Sequence, residues 1–316
     1  MNFVQRKFAR LLCVLICYGS LISSEYSSKN NQRITFEHNG YVRSLLLHEP
    51  ENHANRPGLP LLMVLHGGGG TSRGMIRLTK GRFNEIADEE GIWVVYPQGF
   101  RKHWNDQRTD PISFAHEENV DDVGFISEII RRMIEKYTID PNRVFVTGIS
   151  NGGFMSFRLG MELSHKIKAI APVTATIPVE GVSAVESMKG VNLMLMNGTE
   201  DPLVLYEGGF IKIFRRKRGE IVSTNETIRL WKEQLNCTGD PVETLLPDDD
   251  PADDTRVRKI VYASCEEGTN VVLYRVEGGG HTWPGGRQYL GKWLIGKTSR
   301  DINACDEIWE FLKGLN

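Results

Sequence analysis

Three residues far apart in the chain could together perform nucleophilic chemistry: Ser150, Asp201 and His281. Ser150 is the central residue of the G-x-S-x-G pattern at residues 148–152. A serine hydroxyl alone is a weak nucleophile, so it needs a histidine base and an acid that orients the histidine. The chemistry therefore requires a fold that brings these three side chains to one place.

The residues around Ser150 predict a sharp turn between a strand and a helix. An apolar, β-branched run at residues 144–146 indicates a buried strand, and the apolar spacing after Gly153 is typical of a helix. Side chains at positions 148 and 152 would collide with these two elements, which explains the two glycines. A chance match is the alternative, but this context favours an exposed nucleophile held in a strained conformation.

The acid and the base are expected just beyond the ends of two later strands. Asp201 follows a predicted strand at residues 192–196, and its neighbour Glu200 is the alternative acid. Asp201 is favoured because Asp201-Pro202 ends the turn in the expected way. His281 lies on a glycine-rich loop after the last predicted strand, at residues 271–276. A histidine that merely caps this loop is the other interpretation.

A run of four glycines follows His66 at the end of another buried strand, at residues 61–65. Glycines leave backbone N–H groups uncovered, so Gly67 and Gly68 could donate to a developing oxyanion, together with the N–H of Asn151. A phosphate-binding loop is the alternative. It is disfavoured because the Lys-Ser/Thr pair of such loops is missing.

The remaining pattern predicts one α/β domain. Its central sheet is mostly parallel, helices cover both faces, and no stretch is long enough for a large lid domain. Two irregular insertions are expected at residues 98–121 and 206–220. The second contains the basic run 215–218, interpreted as a solvated face, and the acidic segment 248–254 is interpreted as a solvated turn. The other predicted strands are 34–36, 41–47, 92–96, 167–173, 242–246 and 256–262, and the predicted helices are 83–90, 120–137, 225–235 and 301–315.

The composition, with 40% hydrophobic and 25% charged residues, is ordinary for a soluble globular protein. The net charge of −2 gives no argument for nucleic acid or an anionic membrane surface as a partner.

Residues 1–24 combine a basic start with an apolar core at residues 11–22, which predicts an export signal, with an uncleaved anchor as the alternative. The expectation is a secreted protein, extracellular or periplasmic, whose single catalytic domain spans residues 25–316 and has no stable membrane association after cleavage.

Three of the five cysteines lie outside the signal. Cys237 and Cys265 flank a hairpin-like segment and are plausible disulfide partners in an exported protein, whereas Cys305 is expected as a buried thiol on the last helix. No cysteine and histidine cluster has the spacing of metal ligands, so no metal site is predicted.

Six segments together resemble the exported polyhydroxybutyrate depolymerase and feruloyl esterase-like group of α/β-hydrolases: residues 65–69, 121–125, 140–144, 147–153, 197–202 and 278–285. The resemblance implies the α/β-hydrolase fold and a serine esterase without a cofactor. Its substrates would be hydroxybutyrate oligoesters or feruloyl and acetyl esters of plant polysaccharide. Ser150, Asp201 and His281 match the triad of this group, and Cys237 and Cys265 resemble its structural disulfide.

Other interpretations stay open at this stage. The same triad serves peptidases and acyltransferases, and a non-catalytic carbohydrate-binding protein could share the fold. Trp104, Tyr206 and Trp283 are candidates for the pocket wall, where flat aromatic rings would suit a phenolic or sugar face. The alternative is that all three are core residues.

Overall fold

The computed structural model describes residues 31–51, 58–109, 113–213 and 216–315. The predicted signal at residues 1–24 lies outside the described residues. No helix in these ranges is both long enough and apolar enough to cross a lipid bilayer.

Ten of the described strands form one sheet, in the order β1-β2-β4-β3-β5-β6-β7-β12-β11-β10. The six strands from β4 to β12 are parallel, and the two edges are antiparallel. The strands are β1 Asn31–His38, β2 Tyr41–His48, β3 Leu59–Leu65, β4 Trp93–Pro97, β5 Ile139–Ile149, β6 Ala169–Val173, β7 Asn192–Gly198, β8 Gly209–Ile213, β9 Arg216–Ile221, β10 Val242–Leu245, β11 Arg256–Tyr262 and β12 Val271–Glu277.

Helices cover both faces of the sheet, as predicted. Side chains of β3 alternate between two apolar clusters, with Met63 in one and Val64 in the other. The helices of the described residues are α1 Ser72–Leu78, α2 Arg82–Glu90, α3 Phe114–Glu117, α4 Asp122–Lys136, α5 Asn151–Glu162, α6 Val182–Val185, α7 Thr224–Gln234, α8 Lys292–Ile295 and α9 Ala304–Lys313. The first cluster includes residues of α4, α5 and α7, and the second includes residues of α1, α2 and α9.

Two local predictions differ from the structure. Residues 206–220 were expected to be irregular, yet β8 and β9 pair there as an antiparallel hairpin outside the main sheet. Ile211 and Ile221 of this hairpin are buried, and the charged residues between them obscure the strand pattern. The acidic segment 248–254 is not wholly solvated, because Asp253 is buried and accepts hydrogen bonds from Thr255 and from the Arg300 N–H.

The cysteine predictions are confirmed. Cys237 and Cys265 form a disulfide that joins the segment after α7 to the segment after β11. Cys305 is a free, buried thiol on α9, and burial raises its pKa well above the ordinary value.

Candidate active site

Ser150 lies at the sharp turn between β5 and α5. Its φ of 54° and ψ of −120° are a strained conformation for a residue other than glycine. A Cβ added at Gly148 would lie 2.5 Å from the Gly152 carbonyl oxygen, and one added at Gly152 would lie 2.6 Å from the carbonyl oxygens of Leu65 and His66. These approaches are too close for any side chain, so both glycines are required for this turn.

Asp201 and His281 meet beyond the ends of the neighbouring parallel strands β7 and β12. His281 Nδ1 lies 2.8 Å from Asp201 Oδ2, and both side chains are almost wholly buried. The other carboxylate oxygen, Oδ1, accepts the N–H groups of Leu203 and Val204 at 2.8 Å each. An ionised carboxylate only accepts hydrogen bonds, so the imidazole carries its proton on Nδ1 and Nε2 remains available as a base.

His281 is also fixed through its backbone. Its N–H donates to the Ile295 carbonyl at 2.6 Å, and its own carbonyl accepts the Tyr289 hydroxyl at 2.9 Å. Glu200, the alternative acid, is exposed at the surface, and its N–H donates to the Gly279 carbonyl. The structure therefore brings Asp201, and not its neighbour, to the imidazole.

One cavity of about 640 Å³ is lined by Ser150 and His281 together. This volume lies in the range of small-molecule sites. Gly67, Gly68 and Asn151 also line it, beside the nucleophile. Most of its other walls are apolar, and they include Met75, Leu78, Phe154, Leu203, Val204, Ile211, Leu290, Leu294 and Ile295.

The glycine run after His66 lies directly against the turn that holds Ser150. A Cβ at Gly67 would approach the Ser150 Cβ to 3.6 Å, and one at Gly68 would approach the Asn151 Cβ to 3.6 Å. The N–H groups of Gly69 and Gly70 donate to the carbonyls of Lys102 and Gly67. Gly67 and Gly68 are therefore the residues of this run that remain as candidate donors to an oxyanion.

His66 holds the glycine run in place as a neutral imidazole. Its Nδ1 donates to the Gly67 carbonyl at 2.8 Å, and its Nε2 accepts from the Gly99 N–H at 3.0 Å and from the Gln98 amide at 3.0 Å. Burial lowers the pKa of His66 from 6.5 to about 4. The ring thus stays uncharged at neutral pH and satisfies both of its nitrogens within the loop.

The three aromatic residues predicted as candidates for the pocket wall lie in the core instead. Trp104 is completely buried and donates its indole N–H to the His66 carbonyl at 2.8 Å. Trp283 is completely buried beside Phe83, with ring centres 6.0 Å apart. Tyr206 is buried as well, and burial raises its pKa to about 12. None of the three is among the residues that line the cavity.

Sequence reasoning missed several residues that line the cavity. Tyr289 and Leu290 come from the segment before α8, and Arg108, with His103, comes from the irregular segment 98–121. That segment was predicted only as an irregular insertion, and its sequence contained no signal for these side chains. Arg218 belongs to the basic run that was interpreted as a solvated face, yet it also lines the cavity.

Metal-binding side chains do not cluster in the described part of the chain. Among these residues, no group of three or more histidine, cysteine, aspartate or glutamate side chains is arranged to hold one.

Known proteins with similar sequences include several esterases, although no family model matches the chain. A putative esterase, NocK, from Nocardia uniformis subsp. tsuyamanensis is 28% identical over 288 residues, which are 87% of this chain and 80% of that protein. Feruloyl esterase B from Piromyces equi is 28% identical over 165 residues (52% and 29%). A poly(3-hydroxybutyrate) depolymerase from Ralstonia pickettii is 29% identical over 118 residues (34% and 24%). The chain thus spans most of the first relative but less than a third of the other two.

Solved structures share the fold. A thermostable esterase has a TM-score of 0.55 at 18% identity, covering 90% of this chain and 63% of that one. An acetyl xylan esterase from Aspergillus awamori has a TM-score of 0.55 at 17% identity, covering 80% and 94%. The predicted α/β-hydrolase fold is confirmed. The predicted resemblance to feruloyl esterases and polyhydroxybutyrate depolymerases is confirmed as well, and the similar sequences support a carboxylic-ester hydrolase.

Proposed function

We propose that the protein hydrolyses feruloyl or acetyl esters of plant polysaccharide, or hydroxybutyrate oligoesters, through a triad of Ser150, His281 and Asp201. The observation that carries the proposal is the hydrogen bond between His281 and Asp201, together with the cavity that His281 lines with Ser150 at its strained turn. This combination supplies a nucleophile, a base and the group that orients the base.

The reaction follows from these positions. Ser150 Oγ forms a bond to the ester carbonyl carbon while His281 Nε2 takes the hydroxyl proton. The carbonyl oxygen becomes an anion, which the N–H groups of Asn151 and of Gly67 or Gly68 stabilise, each by about 3 kcal/mol. His281 then returns the proton to the leaving alcohol as the ester C–O bond breaks. Water, activated by the same histidine, hydrolyses the acyl-enzyme and releases the acid.

The residues that line the cavity indicate which acyl group of an ester would fit in it. Most of the lining side chains are apolar, and the cavity is large enough for an aromatic acyl group such as feruloyl. The names of the relatives cover all the proposed esters, since they include feruloyl esterases, acetylxylan esterases and a polyester depolymerase, so the lining is the observation that distinguishes them. Among the proposed substrates, we therefore favour an ester with a bulky apolar acyl group over a simple acetyl ester.

The proposal includes export from the cytosol. The disulfide between Cys237 and Cys265 supports it, because such bonds persist in oxidising compartments. Expression of the full chain with a detectable carboxyl-terminal tag, followed by amino-terminal sequencing of the exported product, tests it. A tagged product that stays in the cytosol with its first residues intact would contradict this part of the proposal.

The activity is tested with a panel of methyl ferulate, acetylated xylan and a hydroxybutyrate trimer. Ser150→Ala should lower kcat by about 10⁶ on every substrate that the wild type cleaves. Ser187→Ala removes an exposed hydroxyl on the surface and should keep wild-type rates. A Ser150→Ala variant that retains most of the activity would end the proposal.

The alternative activities give different results in the same experiments. Cleavage of peptide bonds, or acyl transfer to an added alcohol that outruns hydrolysis, would identify a peptidase or an acyltransferase. Glycan binding without labelling of Ser150 by a fluorophosphonate would identify a non-catalytic carbohydrate-binding protein.

A further inference from the structure

A carboxylate with no solvent exposure, Asp106, lies in the irregular segment that follows β4. Its Oδ1 contacts Arg108 Nε at 3.0 Å and His116 Nε2 at 2.9 Å, and its Oδ2 contacts Arg108 Nη2 at 2.5 Å. Burial alone would raise the pKa of Asp106, but the Arg108 charge and the hydrogen bonds from His116 and Arg108 outweigh it and hold this pKa below its usual range. Asp106 is thus a fixed anion inside the protein.

One partner of Asp106 is the residue next to the nucleophile. Asn151 Nδ2 donates to Asp106 Oδ2 at 2.6 Å and to the Trp104 carbonyl at 3.0 Å, and Asn151 Oδ1 accepts the Trp104 N–H at 2.8 Å. Asn151 is the first residue of α5, and the Ser150 side chain makes no capping hydrogen bond there. The direction of the Asn151 N–H, a candidate oxyanion donor, therefore depends on how its side chain is held.

The other partner of Asp106 reaches the hairpin of β8 and β9. Arg108 Nη1 donates to the Arg218 carbonyl at 2.8 Å, and Gly219 lies so close that an added Cβ would be 2.9 Å from Arg108 Cδ. The Arg108 guanidinium also lies 4.4 Å from the centre of the Phe154 ring. Arg108, Arg218, Phe154 and Ile211 all line the cavity, so Arg108 fixes one of its walls.

We propose that Asp106 is a positioning residue of the ester hydrolysis. It orients the Asn151 N–H toward the oxyanion and, through Arg108, fixes the hairpin wall of the cavity. The inference rests on the proposed function, because it assigns a role in the same reaction. It adds a residue that touches neither the nucleophile nor the base in any contact described above.

A matched control exists in the same region. Asp122 is equally buried, pairs with Arg43 at 2.5 Å and accepts the Asn105 N–H at 2.7 Å. Neither Asp122 nor Arg43 lines the cavity. Removing the Asp122 charge should therefore destabilise the fold through the same kind of lost ion pair without disturbing the oxyanion site.

The test compares Asp106→Asn, Asp122→Asn and Asn151→Ala on p-nitrophenyl acetate, at a temperature where circular dichroism shows each variant folded. Asp106→Asn should lower kcat by about a hundredfold with little change in KM, and the rate of fluorophosphonate labelling should fall in parallel. Asp122→Asn should keep the wild-type kcat despite a lower Tm. Asn151→Ala, which keeps the N–H but loses its anchor, should also lower kcat.

The double variant Asp106→Asn/Asn151→Ala should lose no more than the worse single variant, because both changes release the same N–H. Additive losses, equal losses in Asp106→Asn and Asp122→Asn, or a wild-type kcat in Asp106→Asn would each overturn the inference. If Asp106→Asn does not fold, a wild-type kcat in Asn151→Ala overturns it equally. A wild type that neither cleaves esters nor labels at Ser150 would instead refute the proposed function, and the inference with it.

Discussion

His281 and Asp201 are 80 positions apart in the chain and are joined by a hydrogen bond of 2.8 Å from the Nδ1 of the imidazole to the Oδ2 of the carboxylate. The same carboxylate is held from its other side by the backbone N–H groups of Leu203 and Val204. It can therefore turn only one oxygen toward the ring. This arrangement selects one tautomer of His281 and leaves Nε2 unprotonated.

Replacing Asp201 by asparagine should remove the preference for the tautomer of His281 that is protonated on Nδ1. The amide offers an N–H₂ group of nearly the same shape, which favours the tautomer that cannot act as the base. We expect kcat on methyl ferulate to fall by about 10⁴, with the fold retained. Steady-state kinetics and circular dichroism provide the measurement.

Glu200→Gln is the matched control, because Glu200 is the adjacent acid and is exposed. It should keep the wild-type kcat. Equal losses in the two variants would show that the acid of the triad is misassigned.

The sequence predicted most of the fold because the parallel strands contain continuous apolar runs and the turn at Ser150 has a recognisable pattern. The proximity of Asp201 and His281 followed from their places after β7 and β12, which pair side by side in the sheet. Periodicity could not predict the hairpin of β8 and β9, since charged residues interrupt its pattern.

The walls of the cavity could not be predicted from residue type. Trp104 and Trp283 were candidates because flat rings suit substrates, and the core was the open alternative because an aromatic ring is equally suited to it. The structure uses Trp104 beneath the glycine run and Trp283 against Phe83. Which of the two roles a ring takes depends on the path of an irregular segment, and short-range patterns do not encode that path.

Gly152→Ala should disrupt the turn at Ser150. The added Cβ would lie 2.6 Å from the carbonyl oxygens of Leu65 and His66, at the start of the glycine run. Either α5 or the glycine run must therefore move. We expect a loss of about 3 kcal/mol in the free energy of unfolding and loss of measurable turnover. Urea unfolding and methyl ferulate hydrolysis measure the two effects.

Gly314→Ala is the control for this change, since the nearest atom to its added Cβ is 3.6 Å away and its φ is −76°. It should leave both quantities near the wild-type values. A Gly152→Ala variant with wild-type turnover would contradict the structure of the turn.

The stability of the protein should depend on pH through His66. Burial lowers the pKa of His66 to about 4, whereas the unfolded chain titrates near 6.5. Between these values the unfolded state binds a proton that the folded state does not, so the free energy of unfolding should fall as the pH falls through this window. The total effect is about 3 kcal/mol.

Urea unfolding at a series of pH values from 7 to 4 measures this slope. His66→Gln should be less stable at pH 7 but should show a flatter dependence in the same window. His165→Gln changes an exposed histidine and should keep the wild-type slope. A slope that His66→Gln leaves unchanged would assign the dependence to another group.

Trp293 should distinguish a polysaccharide ester from a small soluble one. Trp293 is 87% exposed and lies on α8. Leu290, Leu294 and Ile295, which are close to it in the chain, line the cavity. A flat indole at this rim can stack on a sugar ring of the chain that carries the ester. Trp293→Ala should then raise KM on acetylated xylan about fivefold, with kcat unchanged, and should leave methyl ferulate kinetics as they are.

Val242→Ala is the control, because Val242 is another exposed apolar side chain, on the edge strand β10 and outside the cavity lining. Val242→Ala should leave KM and kcat unchanged on both substrates. If Trp293→Ala raises KM equally for both substrates, Trp293 acts on the cavity itself. If it changes KM for neither, the alcohol part of the substrate does not reach α8. The first result would contradict a stacking role for Trp293. The second would favour a small soluble ester, because a polysaccharide chain bound at the cavity must extend over its rim.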